Sequence, residues 1–96
     1  MPTDPFFRMR VQDVFSIAGK GTVVTGSVDA GTVRPGDEVI IRGGLADKKA
    51  VVRAIDAFRK VIDEAKAGDT VGILLKDIGR ADVQRGFELM SPDWAR

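Results

Sequence analysis

The run from Lys20 to Gly26 limits what this chain can fold into more than any other segment. Four consecutive β-branched residues, 22–25, stand between Gly21 and Gly26. Branched side chains favour a pleated strand, and glycine inside a strand marks a bend or a close approach of another backbone. The run therefore predicts a strand from Thr22 to Val28, with a bend or a close backbone approach at Gly26.

Alternation of apolar and polar residues predicts a half-buried strand at the start of the chain. Phe7, Met9 and Val11 fall on one face, and the polar residues between them fall on the other. The alternation changes phase at residues 13–15, where a β-bulge would redirect the side chains.

Further short strands are predicted between clear turn signals. Pro35-Gly36 favours a type II turn, because proline presets the first corner and glycine accepts the positive φ of the second. A single helical turn closed by glycine is predicted at 80–86. The other strands are predicted at 38–42, 48–53, 70–75 and 87–90. Turn signals every 8–12 residues or so favour a closed barrel or a sandwich.

The segment 54–67 supports two interpretations. Ile55, Phe58, Ile62 and Ala65 have helical spacing, and Gly68 follows them, which is the pattern of an amphipathic helix. The alternative is a strand through Lys60 followed by a loop. We favour the strand, because it agrees with the family resemblance described below and helix propensity is a weak guide.

Length and composition indicate one small domain, 1–96, with short flexible ends. The net charge is +1, so no overall field attracts the chain to nucleic acid or to a membrane, and any RNA contact must depend on a local patch. Cysteine and histidine are both absent, which removes disulfides, the commonest general base and the commonest zinc ligand. The first five residues do not resemble a signal peptide, and no apolar run is long enough to cross a bilayer. We expect a cytoplasmic protein with a natural start at Met1, without metal or cofactor.

The sequence does not match the catalytic and nucleotide-binding motifs with which it was compared. A phosphate loop would need glycine where Val14 stands and a hydroxyl where Gly21 stands. A dinucleotide motif would need glycine in place of Val24. The three serines, at 16, 27 and 91, have no histidine to activate them. We therefore expect no enzymatic activity.

Basic and aromatic residues suggest an RNA contact. Arg8, Arg10, Lys20 and Arg59-Lys60 could meet at one rim, where Phe15 and Phe58 would offer stacking faces for an unpaired nucleotide. From spacing alone, both phenylalanines are more often buried core residues than exposed stacking faces.

Several segments in order resemble the second domain of elongation factor Tu and its relatives. The likeness extends from about Phe6 to Met90. Its clearest segments are 12–26, 35–39, 58–60, 67–72 and Gly86 before Phe87. It implies an all-β fold, a small closed six-stranded antiparallel β-barrel. In the family this barrel follows a GTPase domain, whereas we expect the present barrel to stand alone.

The resemblance also implies an RNA-binding site, since the domain in elongation factor Tu helps to hold the aminoacyl 3′ end of tRNA. By position, an adenine pocket would be lined by Ile17, Gly19, Val23, Asp56 and Leu74. Arg59 would support the acidic residue, and the aminoacyl group would be surrounded by Asp13, Phe15, Thr25, Phe58 and Thr70. Related factors also contact the small ribosomal subunit through this barrel.

Three residues depart from the family pattern. Gln12 and Asp56 each stand where the family carries glutamate, and the shorter Asp56 withdraws its carboxylate by about 1.5 Å, one carbon–carbon bond. Thr70 replaces an asparagine, and threonine cannot offer both an amide donor and a carbonyl acceptor. A barrel without linked domains also loses the effective concentration that such domains give it at the RNA, so we expect weak RNA binding. Without a GTPase domain, we expect no GTP hydrolysis.

Two functions are favoured. The first is a non-catalytic module that binds tRNA or ribosomal RNA, alone or with a GTPase partner. The alternative is a protein-interaction or regulatory module, which an exposed apolar patch, for example one involving Phe6, Phe7 or Trp94, would favour. A small-molecule site or an enzyme is the least favoured alternative, since it would need a deep pocket with convergent polar groups.

Overall fold

Strands make up most of the described chain. The computed structural model describes residues 6–44, 46–57 and 60–92. Of the ends predicted to be flexible, 1–5 and 91–96, only Ser91 and Pro92 are described; Phe58, Arg59 and Trp94 also lie outside the described ranges. The prediction is wrong for Ser91, which is fully buried and whose amide donates to the carbonyl of Phe7 at 3.0 Å. The strands are β1 (Arg8–Arg10), β2 (Asp13–Ile17), β3 (Gly21–Ala30), β4 (Thr32–Val33), β5 (Glu38–Arg42), β6 (Lys48–Ala57), β7 (Lys60–Ile62), β8 (Ala65–Lys66), β9 (Thr70–Lys76) and β10 (Glu88–Met90). A 3₁₀ turn spans Arg80–Asp82.

Six strands close into a ring. Their order is β1-β10-β5-β6-β9-β3, and β3 pairs again with β1, where Met9 lies opposite Val28. Every pairing in the ring is antiparallel. Closure leaves no unpaired edge within the ring. The prediction of a closed six-stranded antiparallel barrel is confirmed.

Two further strands widen one side of the barrel. β2 pairs with the first half of β3, and β7 pairs with the last residues of β6. The neighbouring strands β2, β3, β9, β6 and β7 thus form a sheet, which we call the extended sheet. Its inward side joins the core and its outward side faces solvent.

The core is built from alternate residues of the ring. Phe7 and Met9 are fully buried and Val11 is 1% exposed, so the predicted inward face of the first strand is confirmed. The core continues through inward residues of the longer strands, among them Val24, Ile41, Val52, Ile55, Ile73, Leu75 and Leu89.

The helical interpretation of 54–67 is wrong. β6 continues to Ala57, and the chain returns as β7, so that Ile55 lies opposite Ile62. Ile55 and Ile62 are seven residues apart. This separation places two residues on one side of a helix, and it also allows them to lie opposite each other in a hairpin. The prediction of a strand is confirmed for 54–57. The loop predicted after Lys60 is wrong, because Lys60 begins β7 and pairs with Ala57.

The irregularity predicted at 13–15 lies two residues earlier. β2 pairs with β3 without a break in register, whereas residues 11 and 12 interrupt the edge between β1 and β2. The chain crosses close to β3 at this break, since a Cβ on Gly26 would lie 2.2 Å from the carbonyl oxygen of Arg10. The close backbone approach predicted at Gly26 is confirmed.

Both predicted turns occur, one of them shorter than expected. The amide of Asp37 donates to the carbonyl of Arg34 at 3.1 Å, and Gly36 has a φ of 93°, as a type II turn requires. The turn predicted at 80–86 is helical only at 80–82. Gly86, with a φ of 93°, then lies in a separate turn in which the amide of Phe87 donates to the carbonyl of Gln84.

Thr22 supplies a buried hydrogen bond that joins β3 to the segment after β9. Its hydroxyl donates to the carbonyl of Ile78 at 2.5 Å, and the side chain is 1% exposed. Thr22→Val keeps the shape and leaves that carbonyl without its donor, so we expect the free energy of unfolding to fall by about 1–2 kcal/mol. Urea unfolding of both proteins measures the difference. An unchanged midpoint would contradict this role.

Candidate functional site

Two rows of side chains cross the outward side of the extended sheet. In the first row, Phe15 lies opposite Val23, Val23 opposite Leu74, and Leu74 opposite Ala54. The second row consists of Asp13, Thr25, Gly72, Asp56 and Val61, in strand order from β2 to β7. Strand alternation therefore places most of the predicted site residues on one surface.

A depression of about 160 Å³ lies between the two rows. We call it the apolar depression. Four of the five residues predicted for an adenine pocket line it: Ile17, Val23, Asp56 and Leu74. The fifth, Gly19, lines a neighbouring depression at the turn between β2 and β3.

A second, more open depression of about 370 Å³ adjoins the first and shares Val23, Gly72 and Asp56 with it. Of the residues predicted to surround an aminoacyl group, Thr25 and Thr70 line this depression. The hydroxyl of Thr70 is within hydrogen-bond distance of that of Ser27, at 3.0 Å.

The other residues predicted around an aminoacyl group are placed differently. Asp13 lines another depression, beside the 3₁₀ turn, where its carboxylate pairs with Arg85 at 2.8 Å. Phe15 is opposite Val23 in the adjoining row but lines neither depression. Phe58, and Arg59, which was predicted to support the acidic residue, lie outside the described residues.

Gly72 provides the floor on which the carboxylate of Asp56 lies. A Cβ on this glycine would come within 2.8 Å of Oδ1 of Asp56 and 3.5 Å of Cγ1 of Val23. Among the described residues, the carboxylate has no hydrogen bond or ion pair. Sequence reasoning did not select Gly72 as a site residue, although a glycine inside a strand signals a close approach.

The surface around the depressions carries exposed apolar side chains. Phe15 is 54% exposed, Ile17 41% and Val61 78%. The interpretation of Phe15 as a core residue is therefore wrong. The strand β2 lies outside the ring of six strands, and the phenyl group of Phe15 faces solvent. Phe7 is fully buried and cannot belong to an exposed patch.

The predicted meeting of basic residues at one rim is wrong for Arg8 and Lys20. Arg8 lies opposite Ala30, whereas Lys20 immediately precedes Gly21. The strand between these positions is about 30 Å long at roughly 3.3 Å per residue. Arg8 also pairs with Glu88 at 2.7 Å.

Two carboxyl groups with a lowered pKa lie away from this surface. The hydrogen bond from Arg42 lowers the pKa of Asp47. The pKa of Asp82 is lowered by its hydrogen bond from Lys48 and then by that from the amide of Gly79. Asp47 lies in the connection between β5 and β6, and Asp82 in the connection between β9 and β10.

Within the described ranges, no three carboxylates are grouped closely enough to hold a metal ion. No helix there has the length and apolar character that crossing a membrane requires.

A comparison with protein families agrees with the observed fold. The family model of elongation factor Tu domain 2 matches residues 21–90, well over half of the chain. The chain belongs to this family.

Proposed function

We propose that this barrel is a non-catalytic, translation-factor-type module that binds the 3′-terminal nucleotide of an RNA, either tRNA or ribosomal RNA, on its extended sheet. The observation that carries the proposal is the combination in the apolar depression. An apolar floor, a carboxylate that has no partner among the described residues, and a nearby exposed aromatic ring lie on the same surface.

Each part matches one part of a terminal adenosine. Ile17, Val23 and Leu74 offer an apolar surface to the face of the base. An ionised carboxylate only accepts hydrogen bonds, so Asp56 suits the hydroxyls of a terminal ribose or the amino group of adenine. It would repel the carbonyl oxygens of uracil. The exposed ring of Phe15 is available for stacking on a base.

The departures from the family pattern favour weak binding. The carboxylate of Asp56 reaches less far than the glutamate of the family, and the hydroxyl of Thr70 is within reach of Ser27. A partner that holds the same RNA would raise the effective concentration at the barrel. A GTPase supplied by another chain is such a partner, since the family barrel works beside one.

A titration with labelled RNA tests the proposal. Fluorescence anisotropy at low salt compares a short single strand that ends in adenosine with the same strand ending in uridine. We expect measurable binding of the first and several-fold weaker binding of the second. Absence of binding to either strand at low salt, where electrostatic attraction is strongest, would overturn the proposal.

Gly72→Ala should separate binding from stability. The new methyl group displaces the flexible carboxylate of Asp56 and narrows the floor between the depressions. Alanine also removes the entropic cost of glycine in a strand, so the free energy of unfolding should stay equal or rise by about 0.5 kcal/mol. We expect affinity for the adenosine-ended strand to fall about tenfold. Thermal unfolding and the anisotropy titration measure the two effects. Unchanged affinity would exclude the floor at Gly72 from the site.

The alternative function is a protein-interaction module. The specific observation in its favour is the exposed apolar group of Phe15, Ile17 and Val61 on one sheet face. Affinity purification with and without ribonuclease distinguishes the two functions. A single protein partner that survives ribonuclease and is lost in Val61→Lys would favour the alternative.

A further inference from the structure

We propose that Lys20, Arg53 and Lys76 form a binding site for the phosphate groups of single-stranded RNA. We call these three residues the phosphate cluster. The inference rests on the proposed function, because the strand concerned is the one whose terminal nucleotide the extended sheet would hold.

The three cations come from different elements and line one open depression of about 470 Å³. Lys20 lies in the turn between β2 and β3, and Lys76 ends β9. A Cβ on Gly21 would lie 2.6 Å from the carbonyl oxygen of Leu75, so glycine allows this turn to approach the end of β9.

Arg53 occupies an irregularity in the sheet. Val52 pairs with Leu75 and Ala54 with Leu74, which leaves Arg53 without a partner in β9. Such bulges redirect a side chain and often lie next to functional sites. Here the redirected side chain lines the depression, and its Nη1 donates to the carbonyl of Lys20 at 3.4 Å.

The described residues do not neutralise the positive charge of the phosphate cluster. Within the described part of the chain, none of its three members forms an ion pair, whereas other cations do: Arg8, Arg34, Arg42, Lys48 and Arg85. The guanidinium of Arg53 keeps donors free, and a guanidinium matches the geometry of phosphate. Asp77 is the carboxylate that lines the same depression, which leaves a local charge of about +2.

The phosphate cluster is continuous with the apolar depression. Ile17 and Lys20 line both. A strand whose terminal base rested against Ile17 would therefore carry its preceding phosphates toward Lys20. The chain as a whole has a net charge of +1, so a local cluster is the feature that could attract the RNA backbone.

Salt dependence tests the cluster separately from base recognition. For single strands, the slope of log K against log salt is about −0.7 for each phosphate neutralised. We expect each of Lys20→Gln, Arg53→Gln and Lys76→Gln to flatten the slope by about 0.7, and the triple variant by about 2. The matched control is Lys66→Gln, an exposed lysine on β8, which should leave the slope unchanged.

Asp77→Asn supplies a change of opposite sign. Asp77 has a φ of 59°, a conformation that asparagine also tolerates, so the fold should be retained. Removing the carboxylate should strengthen binding several-fold at low salt.

The outcomes separate the two proposals. A flattened slope in the triple variant supports the cluster, even where adenosine and uridine ends bind equally and the base site fails. An unchanged slope with a retained preference for adenosine overturns the cluster and leaves the proposed function standing. Absence of RNA binding by the wild type overturns both.

Discussion

Gly26→Ala is expected to lower the free energy of unfolding by about 3 kcal/mol or more, enough to leave part of the protein unfolded. The methyl group would lie 2.2 Å from the carbonyl oxygen of Arg10, well inside van der Waals contact. That carbonyl cannot move freely, because Arg10 is paired with Glu88 in the ring and the amide of Gln12 donates to the carbonyl of Thr25 at 2.7 Å. Relief of the contact would require β1 to separate from β3, which would open the barrel.

Gly79→Ala is the matched control. It makes the same change at a φ of −87°, where the nearest atom to the new methyl is Oδ2 of Asp82 at an ordinary 3.6 Å. We expect its stability to stay within about 0.5 kcal/mol of the wild type. Urea unfolding, followed by circular dichroism, measures both variants. Equal midpoints for the two variants would show that the crossing at Gly26 does not hold the barrel closed.

Local patterns predicted most of the strands because each of them alternates or ends at a turn residue. Phe7, Met9 and Val11 could be assigned to the core from alternation alone, and their burial confirms it. The hairpin of β6 and β7 could not be predicted in this way. Ile55 and Ile62 are separated by seven residues, and only the pairing of strands decides between two helical turns and a hairpin.

The placement of the candidate site depended on long-range pairing. Alternation shows that Val23 and Leu74 each point to one side of a strand, but the register that places them opposite each other is set by the closed ring. The exposure of Phe15 was mispredicted for the same reason. Nothing local shows that β2 lies outside the ring, where an aromatic side chain faces solvent. The bulge at Arg53 likewise appears only when β6 is paired with β9.

Phe15→Ala should weaken binding of the adenosine-ended RNA by 1–3 kcal/mol, about 5- to 150-fold, if its ring stacks on a base. The same change should cost only about 1 kcal/mol of folding stability, because roughly half of the ring is already exposed. The anisotropy titration and thermal unfolding measure the two effects on one preparation. Because both effects are predicted, loss of binding can be distinguished from loss of folded protein.

Phe6→Ala controls for the loss of an aromatic ring. Phe6 is 61% exposed, and its backbone lies beside Gly31. Gly31 follows the last residue of β3, whereas Val23, opposite Phe15, lies near the start of that strand. The two phenylalanines are therefore separated by about 25 Å along that strand, at roughly 3.3 Å per residue. We expect Phe6→Ala to bind RNA as the wild type does. If both variants bind equally well, Phe15 does not stack on the RNA, and the exposed rings are better explained as contacts for a protein partner.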